Sequence, residues 1–388
     1  MTHVHRSTLL AAACSLWLAA CAGGPASTPA PAAARTPGAG AGAPAPAAPR
    51  AGGGGAAARA AAAAPSRQEI PLVPPLAANP LAFTYAVISV ADLDQALALW
   101  QERFGMELVA RRQGTDPGLA KAWGLGAGDI IDQALLRTPG MEQGGVHLVR
   151  FRLPGPAVRE NAAPTDLVPK SVDIAVRDLP ARHAELLAAG YKFRSPIGKF
   201  VTEKVTVHEV HLPGPDAVNM VFLEQEGHPE PVSDKGYGVM PQIVAISPDN
   251  RLEKAFFEDV LGLKETSYNR FAGPEVEKTV GLPQGAGLDI RIFGDPAYDY
   301  GRIEIVQYER APGTDLYPRA RPPARGLLSV TYFVPDVGAI LARAGAPGAP
   351  RMRAAPLDHG VVATIFGESR LATLTSPAGL RIDLLERR

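Results

Sequence analysis

The sequence predicts an α+β fold in which four βαβββ modules form two tandem domains behind a disordered tether. Three observations predict it. An Ala/Gly/Pro-rich stretch ends near Pro80, an internal repeat with a constant offset follows, and each repeat alternates strand, helix and strand signals.

At the N-terminus, Arg6 precedes the apolar run LLAAACSLWL, which is about ten residues long and too short to span a bilayer of ~30 Å. The layout is that of a signal peptide over residues 1–20. The ending Leu18-Ala19-Ala20-Cys21 resembles a bacterial lipobox, whose Cys is diacylated and becomes the mature N-terminus. The alternative is an ordinary secretory signal with a chance Cys. Ala22 stands where an Asp retains such lipoproteins in the inner membrane. The expected location is therefore the cell envelope, lipid-anchored in the outer membrane and facing the periplasm. Cys14 would leave with the signal and Cys21 would be acylated, which leaves no thiol for a disulfide, a nucleophile or a metal site.

Residues 21–80 carry the anchor and the tether. Between Ala22 and Ser66, 38 of 45 residues are Ala, Gly or Pro. Such a stretch has almost no large side chain to bury, and its Pro and Gly break regular structure. An Ala-rich helix near residues 56–64 would be marginal at that length.

Beyond Pro80 the chain repeats. YAVISVADLDQALALWQERFGMEL begins at Tyr85 and QIVAISPDNRLEKAFFEDVLGLKE at Gln242, 157 positions later. Both read strand, turn with Asp, amphipathic helix, Gly, strand. Gly105 and Gly262, again 157 apart, follow the helices, where a left-handed C-cap favours Gly. His147 and Glu304 keep the same offset, and Ser171 and Ser329 stand 158 apart. Each half thus holds two modules, beginning near Phe83 and Lys170, then near Met240 and Gly326. The polar EGHPEPVSDKGYG stretch supplies the linker, giving domains over 81–225 and 240–388 joined by 226–239.

Lys plus Arg and Asp plus Glu are 39 each, so no basic field exists to hold a phosphate backbone, and nucleic acid is not an expected partner. The stretch GLGAG lacks the strand-then-helix setting of a phosphate loop.

The paired module openings, with the endings GPDAVNMVFLE and SPAGLRIDLLE, resemble the vicinal oxygen chelate superfamily. That superfamily includes glyoxalase I, methylmalonyl-CoA epimerase, extradiol dioxygenases and drug-resistance proteins. The resemblance implies curved sheets around small-molecule pockets, with metal ligands on the first and last strand of each module. Carried over by register, it nominates Tyr85, His147, Ser171 and Phe222 in the N-terminal half, with Asp173 as a stand-in ligand beside Ser171. In the C-terminal half it nominates Gln242, Glu304, Ser329 and Asp383.

Gln242, Glu304 and Asp383 are oxygen donors suited to one divalent metal, Mg²⁺, Mn²⁺, Ni²⁺ or Zn²⁺, with the hard cations favoured. Glu304 would then be the catalytic carboxylate of a glyoxalase- or epimerase-like lyase/isomerase. Against this stands a second reading, a metal-free small-molecule binder of the envelope, since Tyr85, Ser171 and Phe222 replace expected ligands. The alternation in RIEIVQYE puts Arg302, Glu304, Val306 and Tyr308 on one face without settling whether that face is solvent or pocket. His208 and His211 point to opposite faces of their strand, His183 lies on a helix, and His359 precedes a strand near the C-terminal pocket. Tandem halves can make internally what single-module relatives make by pairing, so the expected state is a monomeric pseudo-dimer.

Overall fold

The computed structural model describes residues 79–202, 205–238 and 240–388. Cys21, the signal peptide and nearly all of the tether lie outside the described residues. Among the described residues, no helix is long and apolar enough to cross a membrane.

The first module holds β1 (Tyr85–Ser89), β2 (Glu107–Gln113), β3 (Ile130–Arg137) and β4 (Gly145–Phe151). The second holds β5 (Pro169–Ala175), β6 (Gly198–Val201), β7 (Thr206–Pro213) and β8 (Asn219–Gln225). The third holds β9 (Gln242–Ile246), β10 (Lys264–Ala272), β11 (Gly287–Gly294) and β12 (Arg302–Glu309). The fourth holds β13 (Gly326–Phe333), β14 (Leu357–Thr364), β15 (Gly367–Thr375) and β16 (Arg381–Arg387). A helix follows the first strand of each module: α1 (Leu93–Leu97), α3 (Leu179–Ala188), α4 (Asn250–Ala255) and α6 (Val337–Ala344). Two further helices, α2 (Pro117–Ala122) and α5 (Pro274–Val280), lie inside the first and third modules.

The Asp residues of the repeat are N-caps. Asp92 accepts from the amides of Asp94 and Gln95, and Asp249 from that of Arg251. In both repeats the helix widens into a π segment, Ala98–Arg103 and Phe256–Leu261. Gly262 then closes the second with a left-handed φ of 79°.

The modules pair crosswise. One eight-stranded sheet runs β14-β15-β16-β13-β1-β4-β3-β2, and the other β10-β11-β12-β9-β5-β8-β7-β6. The first and fourth modules therefore share a curled sheet through β1 and β13, and the second and third share another through β5 and β9. Strict alternation divides each strand between two environments. Val172, Ile174, Ile243, Ala245, Ile303 and Ile305 face the helices, as do Ala86, Ile88, Val330 and Ile382 of the other sheet. These form one core, shared by all four modules, between the helix-bearing faces. Both central seams carry a bulge: one beside Lys170, between the β5 pairings of Pro169 and Ser171, and one beside Leu328, opposite the Val87/Ile88 step of β1. A bulge re-aims the extra residue. Leu328 accordingly joins a cluster on the inner face of the first sheet, and Lys170 lines the inner face of the second.

Candidate functional site

Crosswise pairing regroups the expected site residues. Gln242 and Glu304 share their sheet with Ser171 and Asp173, whereas Asp383 lies in the other sheet with Tyr85, His147 and Ser329. The triad Gln242, Glu304 and Asp383 is therefore not assembled, nor is the pair His147 and Asp173. The physical reason is that β9 joins β5 and β1 joins β13, so each inner face is half from one repeat and half from the other. Phe222 requires a second correction. It faces the helices, 5.8 Å from Phe104 and 5.9 Å from Tyr237 between ring centres. The inner position on β8 is Val221, paired with Asp173, and its equivalent on β16 is Asp383, paired with Thr331. The last strands are offset by 162 residues, against 158 for the strands before them, and a one-residue error in register reverses the face.

The inner face of the first sheet is filled. Tyr85, Trp123, Phe151, Phe333 and Phe366 pack there as one apolar cluster. His147 is fully buried, with Phe366 edge-on at 5.2 Å and Nε2 2.9 Å from Gln133 Oε1. Burial pushes its pKa down to about 3, despite the nearby Asp383. Asp383 is saturated: it accepts from Trp123 Nε1 at 3.0 Å, Thr373 Oγ1 at 2.6 Å and Arg381 Nε at 3.1 Å. His359 lies within β14 rather than ahead of a strand, bonded to Thr373 at 3.1 Å on this filled face and not in the cleft of the second sheet.

The inner face of the second sheet is hollow. A cleft of ≈ 1010 Å³ is lined by Lys170, Asp173, Glu209, Gln242, Glu304 and Tyr308, with Phe200, Val244, Leu288 and Val306 as apolar wall. Arg302, Glu304, Val306 and Tyr308 all face it, which resolves the β12 alternation in favour of a pocket. At its floor, Gln242 Nε2 donates to Asp173 Oδ2 at 3.0 Å and to Glu304 Oε2 at 3.1 Å. Arg302 Nη2 donates to Gln242 Oε1 at 3.1 Å and is itself held by Asp299 at 2.7 Å. Because a guanidinium can only donate, Arg302 sets the orientation of the Gln242 amide. Ser171 adds a 3.4 Å bond to Asp173.

Burial and crowding act together on this floor. Glu304 is pushed up to about 7, first by burial and then by Glu209, against the pull of Arg302 and Lys170. Asp173 is raised well above the carboxylate range by burial, Glu304 and Glu209. The pair thus keeps a proton at neutral pH, as two close buried carboxyls must. Lys170, 3 % exposed, is bonded to the Tyr308 hydroxyl. Burial, then the Arg159 and Arg194 guanidiniums, drive its ammonium pKa well down. Lys170, Glu209, Arg302 and Tyr308 were not nominated from the sequence. The inward turn of Lys170 depends on a bulge that no local pattern announces.

A divalent metal does not fit either face. On the second sheet the Gln242 amide nitrogen stands between the two carboxyls where an ion would bind, and its oxygen is committed to Arg302. On the first, Asp383 has no free donor geometry and His147 is sealed by aromatic rings. Among the described residues no group of three or more His, Cys, Asp or Glu is arranged to hold an ion.

No protein-family model and no curated protein matches the chain. Among solved structures, glyoxalase I from Zea mays is similar, with a TM-score of 0.51 and 16% identity over 79% of this chain and 92% of that one. Two single-substitution variants of the same protein superpose with TM-scores of 0.50, at 16% identity and over 79% of this chain. At that identity the likeness concerns the fold.

Proposed function

Because the chain has the fold of the vicinal oxygen chelate superfamily, shared with maize glyoxalase I, we propose that it is a small-molecule-binding lipoprotein of the bacterial envelope. Its ligand occupies the cleft of the second sheet without a metal. The observation that carries this reading is the asymmetry of the two inner faces: one is packed with aromatic rings and the other is open over a polar floor. A cleft of ≈ 1010 Å³ with apolar walls and a few convergent polar groups suits a small oxygenated organic ligand. The floor offers such a ligand both donors and acceptors, and Arg302 supplies the positive charge that an ion would otherwise bring.

The test is a thermal-shift screen of small carbonyl, carboxyl and hydroxyl compounds against wild type and Val244→Trp, a substitution that fills the cleft. Hits that stabilise wild type and lose their effect in a folded Val244→Trp support the reading, whereas hits unaffected by it place binding elsewhere. The anchor is tested separately. In a bacterial host, radiolabelled palmitate is expected on wild type and absent from Cys21→Ser.

A second reading, a lyase or isomerase that moves a proton, is favoured by Glu304, whose carboxyl is held near 7 where it can both give and take a proton. Solvent deuterium entering a bound ligand with wild type, and not with Glu304→Gln, would establish it.

A further inference from the structure

Lys170 occupies an unusual place for a lysine. It is the bulged residue of β5, between the pairings of Pro169 and Ser171 with β9. Without that extra residue, alternation would turn its side chain toward the helix-side core that Val172 and Ile174 enter. The bulge instead brings the amine to the wall of the cleft, 3 % exposed, against the Tyr308 hydroxyl. No carboxylate forms an ion pair with it among the described residues, although Glu209 and Glu304 line the same cleft. The repeat supplies a control within the molecule. The equivalent bulge on β13 presents Leu328, which packs into the apolar cluster. The backbone device is therefore shared by both sheets, and only the hollow face puts an amine on it.

We propose that Lys170 is a covalent capture site, whose amine condenses with a small aldehyde or ketone bound in the cleft of the second sheet. The proposal rests on that cleft being the ligand site. The Lys170 nitrogen attacks the carbonyl carbon, forming a C–N bond as the carbonyl pair moves to oxygen. The oxygen gains one proton and the nitrogen loses one, giving a carbinolamine. A second proton, supplied by the carboxyl pair of Asp173 and Glu304, lets the hydroxyl leave as water while the nitrogen pair closes a C=N bond, and the resulting iminium nitrogen returns its proton to the carboxyl pair. The sum is amine plus carbonyl to imine plus water, with no change of oxidation state.

The surroundings serve each step. Burial and the two nearby guanidiniums favour the neutral, nucleophilic amine over the ammonium. The Tyr308 hydroxyl, held protonated by burial, orients it. An ordinary lysine is unprotonated in roughly one molecule in 2,500 at pH 7, so a depressed one reacts far faster.

The experiment treats the full-length chain with benzaldehyde and sodium cyanoborohydride at pH 7, and follows reductive adducts residue by residue with peptide mass mapping. Exposed Lys192 and Lys264 are the internal references. Lys170 is expected to be labelled faster than either by about tenfold or more, and a Lys170 rate no higher than theirs overturns the proposal. A thermal scan with benzaldehyde but no reductant keeps the two ideas apart. Stabilisation of wild type that is lost in Lys170→Met supports capture. Equal stabilisation of both proteins, with no Lys170 adduct, overturns capture and leaves the cleft as a binding site. No stabilisation and no adduct, across benzaldehyde, propanal and acetone, overturns both.

Discussion

The two inner faces of this molecule stand on the same scaffold and do opposite things. Strand for strand, β1, β4, β13 and β16 correspond to β9, β12, β5 and β8. On that frame Tyr85 takes the place of Gln242, His147 that of Glu304, Leu328 that of Lys170, Thr331 that of Asp173, and Asp383 that of Val221. The backbone does not decide which face is a site. Five aromatic rings, two of them against His147, convert one face into core, while an amide, two carboxyls and an amine line the other.

The largest expected effect comes from opening the filled face. Phe366 is 4 % exposed and touches the rings of Tyr85, His147 and Phe333. Phe366→Ala should cost about 3–5 kcal/mol by the usual penalty for a large core cavity, measured by urea denaturation. Ligand binding to the second sheet should be unchanged. If binding were lost as well, the two faces would not be independent. Next in size is Gln242→Leu, which removes the bridge between Asp173 and Glu304 and takes from Arg302 Nη2 its acceptor, leaving Arg302 only its bond to Asp299. A cost of roughly 1–3 kcal/mol is expected for these unmade bonds, with the loss growing as pH rises and both carboxyls ionise.

The faces should also answer pH in opposite senses. Glu304 holds its proton up to about 7 in the folded chain, against 4.5 ordinarily. Between those values the native state binds more protons than the unfolded one, so this group makes stability fall as pH rises, by up to ~1.4 kcal/mol per pH unit. His147 behaves conversely. Its folded pKa is about 3, against 6.5 ordinarily, so the unfolded chain takes the proton first. Stability should fall as pH drops from 6.5 toward 3. Glu304→Gln should flatten the first slope and leave the second, and His147→Gln should do the reverse. Denaturation midpoints measured from pH 4 to 8 would show whether the two substitutions exchange roles.

How much of this was legible follows from particular residues. The four modules, the Asp92 and Asp249 caps and the closing Gly262 were written locally, in periodicity and capping. The partnership of modules was not, because nothing in β1 or β9 states which strand lies beside it. The sequence groups Gln242 and Glu304 with Asp383, whereas the structure joins them to Asp173, from 69 residues before Gln242. Asp383 and Phe222 were misplaced by non-local pairing and by a one-residue change of register, and Lys170 was hidden by a bulge.

The smallest expected effect is that of added metal. Mn²⁺, Ni²⁺ or Zn²⁺ should leave the thermal midpoint within error, because each face has already neutralised its charge by other means. On the second sheet the Gln242 nitrogen and Arg302 stand where a cation would act, and releasing them costs the bonds they make. On the first, Asp383 would have to give up Trp123, Thr373 and Arg381. An ion bound at a hundredfold excess over its Kd would stabilise the fold by about 2.7 kcal/mol, well within the reach of a scan. A saturable shift abolished by Glu304→Gln would mean that the amide of Gln242 turns over and lends its oxygen. The hollow face would then be an oxygen-donor metal site closed by Arg302 until the ion arrives.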